Sequence, residues 1–160
     1  MFSTYLFSIA VSIVLPTKVM AINFDSNLFV GTGLTVGSLG MKDRESSSSV
    51  GVDLHAGYQL GNYLKLMVGV GSASISDGDN GEQSISTKFA VVRPQWVFDS
   101  GFLVYIDIGV VESSIENGGK FGMGIGYNEG KHEITLGYDQ SEVDHHRNLS
   151  VALVQYSYHF

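Results

Sequence analysis

The chain has 160 residues, of which 44% are hydrophobic and only 16% are charged, and its formal net charge is −7. This length fits one domain, and the lack of cysteine excludes disulfides, thiol nucleophiles and thiolate metal sites. The acidic balance argues against nucleic-acid binding, which requires basic patches.

The N-terminus, MFSTYLFSIAVSIVLPTKVMA, has an apolar stretch over residues 5–15, followed by a proline and then small or apolar residues up to Ala21. This order predicts a secretory signal peptide over residues 1–21 that is cleaved after Ala21, although no Lys or Arg precedes the apolar stretch. The alternative is a transmembrane anchor, which needs a longer uninterrupted apolar run. Residues 22–160 then form the mature domain.

The mature sequence shows eight segments of period-two alternation, separated by turn residues, and no convincing helical periodicity. Pro94 lies in the fourth segment and cannot donate a ladder hydrogen bond, so we expect a bulge or local distortion there. The predicted strands cover about residues 28–38, 50–60, 64–71, 87–98, 102–110, 121–127, 133–139 and 149–160.

Twelve glycines lie within these segments, and all twelve fall on the polar face. Otherwise this face holds only one or two ionisable groups per strand, which suits the crowded interior of a narrow closed barrel of eight strands. The apolar face then lies outside and needs lipid. The sequence therefore predicts an all-β, eight-stranded antiparallel up-and-down transmembrane β-barrel. The soluble alternative is a lipocalin-like barrel, which has apolar residues inside and polar residues outside.

The last strand ends with VQYSYHF, in which Val154, Tyr156, Tyr158 and Phe160 alternate with polar residues. With this terminus the chain resembles the small outer-membrane barrels of Gram-negative bacteria, of the OmpX/Ail and OmpA-barrel type. The resemblance implies that these four residues form an assembly signature for the barrel-assembly machinery. It also implies a monomeric barrel that crosses the outer membrane several times and contacts outer-membrane lipid and lipopolysaccharide.

The predicted connections alternate between short turns, near residues 61–62, 99–101 and 129–130, and longer loops. The longer loops cover residues 39–49, 74–86, 112–119 and 141–148. In outer-membrane barrels short turns face the periplasm and longer loops face the exterior. The periplasmic end is then expected to carry an aromatic girdle, made of Tyr58, Trp96, Phe98, Phe102, Tyr127, Tyr156, Tyr158 and Phe160.

Inward-facing polar residues predict a hydrogen-bonded network in the barrel interior. Hairpin register places Arg93 opposite Asp107 and Gln59 near Lys65. Buried charges must be paired, because an unpaired one costs several kcal/mol. The network predicts a lumen blocked by side chains, and the alternative is a proton or ion pathway. Its predicted members are Asp53, His55, Gln59, Lys65, Arg93, Asp107, Glu133 and Asp139.

The sequence predicts no catalytic, cofactor-binding or metal site. In the segment DHHR, Asp144 to Arg147, the three or four ligands of a metal site are not visible. The enzymatic alternative is a lipid A deacylase barrel with a Ser-His-acid site, but HHRNLS lacks the order and spacing of the His-x-Ser-Asn type motif of that family.

The leading interpretation is a non-enzymatic surface barrel. Its acidic, Ser- and Gly-rich loops, GMKDRESSSS and SISDGDNGEQS, would serve adhesion, contact with a host or surface ligand, or envelope integrity. A narrow small-solute channel is a third interpretation.

Overall fold

The computed structural model of the protein describes residues 27–41, 44–77, 81–114, 117–144 and 147–160. The predicted signal peptide lies outside these residues. Within them, no helix is long and apolar enough to cross a membrane. The strands are β1 Leu28–Met41, β2 Arg44–Leu60, β3 Leu64–Asp77, β4 Gly81–Val97, β5 Phe102–Ser113, β6 Asn117–Glu129, β7 His132–Asp144 and β8 Arg147–His159.

The eight strands form one antiparallel sheet in sequence order, and the pairing of β1 with β8 closes it into a barrel. The predicted fold class is therefore confirmed. Closure satisfies the backbone hydrogen bonds of every strand without a free edge, which is the condition for a sheet to lie in lipid.

The two faces of the sheet differ in exposure along every strand. In β2, for example, Val52 and Leu54 are exposed on the outside, whereas Asp53 and His55 are buried inside. The predicted facing of the eight strands is confirmed for the side chains that the structure describes, because the apolar residues assigned outward lie outside, and the strand glycines and the ionisable groups assigned inward lie inside.

The outward apolar side chains form a continuous belt around the barrel, which we call the apolar band. In β1 it extends from Leu28 to Val36, and a strand of this length, tilted by about 40°, rises by roughly 20 Å. That height is close to the apolar band of about 25 Å in outer-membrane barrels. Its exposed members include Leu28, Val30, Leu34, Val36, Val50, Val52, Leu54, Val70, Val92, Ile108, Phe121, Met123, Ile125, Ile134, Leu136 and Val154.

The apolar band has different borders at its two ends. We call the end with the turns at 61–63, 98–101 and 130–131 the turn end, and the aromatic residues predicted as a girdle lie there. The opposite end, which we call the hairpin end, carries outward serines directly beyond the band. This serine collar comprises Ser38, Ser48, Ser72, Ser74, Ser76, Ser84, Ser86 and Ser150.

The four predicted loops at the hairpin end are wrong in extent, because strands continue through most of each segment. β1 reaches Met41 and β2 begins at Arg44, so most of the predicted loop 39–49 is strand. The sequence signal failed here because serine-rich segments have no apolar alternation, whereas ladder hydrogen bonds extend a hairpin whatever its side chains are. The two ends thus differ in the length of strand beyond the apolar band.

Pro94 interrupts the pairing of β4 with β5 without shifting it. Val92 lies opposite Ile108 and Gln95 lies opposite Tyr105, so the register is the same on both sides of the interruption. On its other side Pro94 remains opposite Leu64 in β3. The predicted local distortion is therefore present as a gap in one ladder, and no extra residue is inserted.

An outward arginine in the middle of the apolar band should destabilise the barrel. We expect Ile125→Arg to lower the free energy of unfolding from lipid vesicles by about 2–4 kcal/mol, because its charge is placed near the bilayer midplane. The measurement is denaturant unfolding followed by tryptophan fluorescence. Ser48→Arg, an outward change in the serine collar, is the control and should leave the midpoint nearly unchanged. Equal effects of the two variants would contradict the location of the band.

Candidate functional site

The polar residues predicted for the interior lie inside the barrel. Seven of the eight are buried, and several are sealed: Lys65 is 0% exposed and Arg93, Asp107 and Glu133 are each 1% exposed. Charged side chains are almost never this buried unless they are paired. Their pairing therefore decides what the interior can do.

Arg93 in β4 is bound to Asp107 in the neighbouring strand β5. Its Nε and Nη2 atoms donate to the two Asp107 carboxylate oxygens at 2.6 and 2.7 Å, and Nη2 also donates to Gln155 Oε1 at 2.8 Å. The guanidinium carbon lies 3.9 Å from the centre of the Tyr105 ring. Two parallel charge-assisted bonds and an aromatic face hold the guanidinium in one orientation.

Lys65 in β3 reaches across the lumen to Glu133 in β7, instead of binding Gln59 beside it. Its Nζ atom lies 2.5 Å from both carboxylate oxygens of Glu133 and 5.0 Å from the centre of the Phe29 ring. Gln59 lies at the rim, where its amide donates to the carbonyl of Gly61 at 2.9 Å. The amide nitrogen of Gln59 therefore has its partner at the turn and not in the charged interior.

A third cation, Lys120 in β6, binds Asp139 in β7 and lies 5.7 Å from the centre of the Phe89 ring. The predicted network contained Asp139 but not Lys120. Lys120 has the same strand parity as the inward glycines of β6, and this parity is the signal that could have identified it.

Each of the three cations covers an aromatic ring that in turn covers a glycine. Phe29 lies opposite Gly57, Phe89 opposite Gly69, and Tyr105 opposite Gly124 on the adjacent strand. A Cβ atom at any of these glycines would collide with the ring. These three glycines therefore make room for the rings, whereas the sequence pattern indicated only a crowded interior. We call each set of glycine, ring, cation and carboxylate a stacked unit.

Asp53, His55 and Ser157 form a separate hydrogen-bonded chain. His55 Nδ1 lies 2.7 Å from Asp53 Oδ1, and His55 Nε2 lies 3.1 Å from Ser157 Oγ. This is the acid–base–hydroxyl order of serine hydrolases. Ser157 is nevertheless only 4% exposed, and β8 is paired with a strand on each side there. Strand pairing uses the backbone N–H groups that an oxyanion would need, so the arrangement fits a structural chain.

Other candidate chemistry is limited. Among the residues that the structure describes, no group of three or more His, Cys, Asp and Glu side chains could hold a metal ion. His145 and His146 of the DHHR segment lie outside the described residues.

Known proteins resemble this chain in their three-dimensional structure, but the sequence comparisons found no match. Neither a protein-family model nor a curated protein sequence matches the chain. Solved structures do match. Neisserial surface protein A (NspA) has a TM-score of 0.71 at 10% identity, covering 83% of this chain and 97% of its own.

Two further structures have the same fold. Ail, the attachment invasion locus protein of Yersinia pestis, has a TM-score of 0.65 at 12% identity over 85% of this chain and 99% of its own. The outer membrane enzyme PagL has a TM-score of 0.55 at 13% identity over 81% of this chain and 99% of its own. The chain therefore has the fold of the small eight-stranded outer-membrane barrels, and the predicted resemblance is confirmed at the level of fold.

Removing the guanidinium of a stacked unit should destabilise the barrel. We expect Arg93→Ala to lower the free energy of unfolding by about 3–5 kcal/mol, because Asp107 remains buried without its partner. The measurement is the unfolding midpoint in denaturant. Arg93→Ala combined with Asp107→Ala should cost less than the single change. An unchanged midpoint for Arg93→Ala would contradict a structural role of the pair.

Proposed function

We propose that the protein is an integral, non-enzymatic barrel of the bacterial outer membrane that presents its hairpin end at the cell surface. One observation carries this proposal: the barrel has inverted polarity, with an apolar band outside and paired charges inside. Only a lipid surrounding makes an outward face of this kind stable, because water would leave a large apolar belt exposed.

The interior supports a closed barrel in preference to a channel. Three cations and their carboxylate partners, together with the rings beneath them, occupy the lumen between strands. An eight-stranded barrel has an interior just wide enough for side chains to fill. A solute or proton pathway would have to separate these pairs, which is unfavourable in a low-dielectric interior.

The hairpin end supports a surface role. At this end the strands continue past the apolar band into serine-rich hairpins, and we infer that they meet host or other surface ligands or help to maintain the envelope. NspA is named a surface protein and Ail is named the attachment invasion locus protein, which is consistent with adhesion. The closed sheet has no edge for further strands, so we propose a monomer.

Biogenesis is part of the same proposal. We infer that an N-terminal signal exports the chain and that the barrel-assembly machinery reads Val154, Tyr156, Tyr158 and Phe160 on the last strand. All four side chains lie on the outer face of β8 or just after it, where another protein could contact them before the barrel closes.

A second candidate function is an outer-membrane acyl hydrolase. Two observations favour it: PagL is an outer membrane enzyme of this fold, and Asp53, His55 and Ser157 are hydrogen-bonded in hydrolase order. The burial of Ser157 makes this the weaker proposal.

The proposed location has a direct test. In the outer-membrane fraction the unboiled protein should migrate differently from the boiled protein on a gel, because a barrel stays folded in detergent until it is heated. Phe160→Ala should reduce the amount of the heat-modifiable form, whereas the control Ile134→Ala, an outward change on β7, should not. Recovery only in the soluble fraction would overturn the proposal.

The enzyme and channel alternatives are tested together. Lipid A from cells with and without the protein should have the same acyl chains, and the purified barrel should give no steady conductance in planar bilayers. An acyl chain lost with the wild type but retained with Ser157→Ala would favour the hydrolase. Reproducible conductance steps would favour the channel.

A further inference from the structure

The outer face of the barrel carries a groove of about 660 Å³ that extends across β8, β1, β2, β3 and β4. Its outward residues form two neighbouring rows across the strands. One row contains Val30, Ala56 and Val68, and the row beside it contains Thr32, Leu54 and Val70. Thr32, Ala56 and Val68 have smaller side chains than Leu54, Tyr156 and Tyr158, which line the same groove. The groove is therefore an open depression in the outer surface of the barrel.

The groove runs obliquely through the apolar band. It begins at Tyr156 and Tyr158, whose strand ends at the turn end, and it finishes at Lys88, the first outward polar residue beyond the band in β4. Strands about 4.8 Å apart and tilted by about 40° give a row across five strands a rise of roughly 12 Å. A hydrocarbon chain lying in the groove would extend from the polar border towards the bilayer interior.

Lys88 places a positive charge at the upper end of the groove. It is exposed, and no hydrogen bond or ion pair within the described part of the chain involves it. Its cross-strand neighbours are Val70 and Glu112. Glu112 lies beside Lys88 without forming an ion pair, so the ammonium remains available to an anionic group.

Beyond Lys88 the same strands present a ladder of hydroxyl groups. Ser72 lies opposite Ser86, Ser74 opposite Ser84, and Ser48 opposite Ser76, all with outward parity. Along β2, β3 and β4 the surface therefore changes from an apolar groove to an ammonium and then to hydroxyls. This order matches an amphiphile that has acyl chains, then a phosphate, then sugar.

We propose that this surface is a binding site for a phosphorylated, acylated glycolipid of the lipid A type. An acyl chain occupies the groove, a phosphate binds Lys88, and the sugar hydroxyls meet the serines beyond it. The site deepens the proposed function and rests on it, because the hairpin end must face the outer leaflet. A diacyl phospholipid would satisfy the groove and Lys88 but not the serine ladder, so the glycolipid is the occupant that uses all three parts.

The test measures lipid binding to the protein purified from membranes in detergent, by native mass spectrometry with diphosphoryl lipid A. Lys88→Gln should weaken binding about tenfold, since a hydrogen bond to a charged group is lost, and Lys88→Arg should retain it. Ala56→Trp should also weaken binding because it fills the groove. Its matched control is Ala152→Trp, an exposed outward alanine that does not line the groove. Heat-modifiable mobility verifies that every variant is folded.

Two comparisons decide the chemistry of the ligand. Dephosphorylated lipid A should bind wild type and Lys88→Gln equally, and phosphatidylglycerol should bind more weakly than diphosphoryl lipid A. Equal binding of phosphatidylglycerol and lipid A, or equal loss in Ala56→Trp and Ala152→Trp, would overturn the proposal. Cell fractionation tests the outer-membrane location separately, so a failed location and a failed binding site give different results.

Discussion

The structure depends on one interaction, the burial of a cation between an aromatic ring and a carboxylate inside a narrow barrel. Each of Lys65, Arg93 and Lys120 meets both partners. The ring needs space that only glycine on the neighbouring strand provides. The position of the buried cation therefore depends on a glycine two layers beneath it. Most of these groups are buried, so each charge needs a partner of opposite sign. Removing any member of a stacked unit leaves a cavity, a collision or an unpaired charge.

The outer face of the barrel needs lipid, just as the interior needs paired charges. The apolar band is stable only where water is absent, and its borders differ chemically: aromatic residues at the turn end and serines at the hairpin end. Aromatic side chains have an apolar body and a polar tip and suit an interface. Hydroxyls without charge suit a surface that meets polar headgroups. The apolar outer face and its two borders thus indicate the environment of the barrel.

Function resides in surface features that the shared fold does not determine. NspA, Ail and PagL have this architecture at 10–13% identity, and one of them is an enzyme, so the architecture is compatible with different activities. The features particular to this chain are the serine-rich hairpins, the oblique groove with Lys88, and the buried chain of Asp53, His55 and Ser157. The first two are accessible from outside the barrel, whereas the third is buried inside it.

The sequence by itself determined the number of strands, the facing of each and the register across the tight turns, because alternation has a period of two and a short turn permits only a few registers. It therefore placed Arg93 opposite Asp107. Only the tertiary structure decided that Lys65 binds Glu133, 68 positions away, because β3 and β7 are not neighbours in the sheet and meet only across the closed lumen. The sequence also did not predict how far the strands extend at the hairpin end, because backbone pairing leaves no periodic pattern of side chains. It did not predict the groove, because the rows that form it run across five strands and not along one.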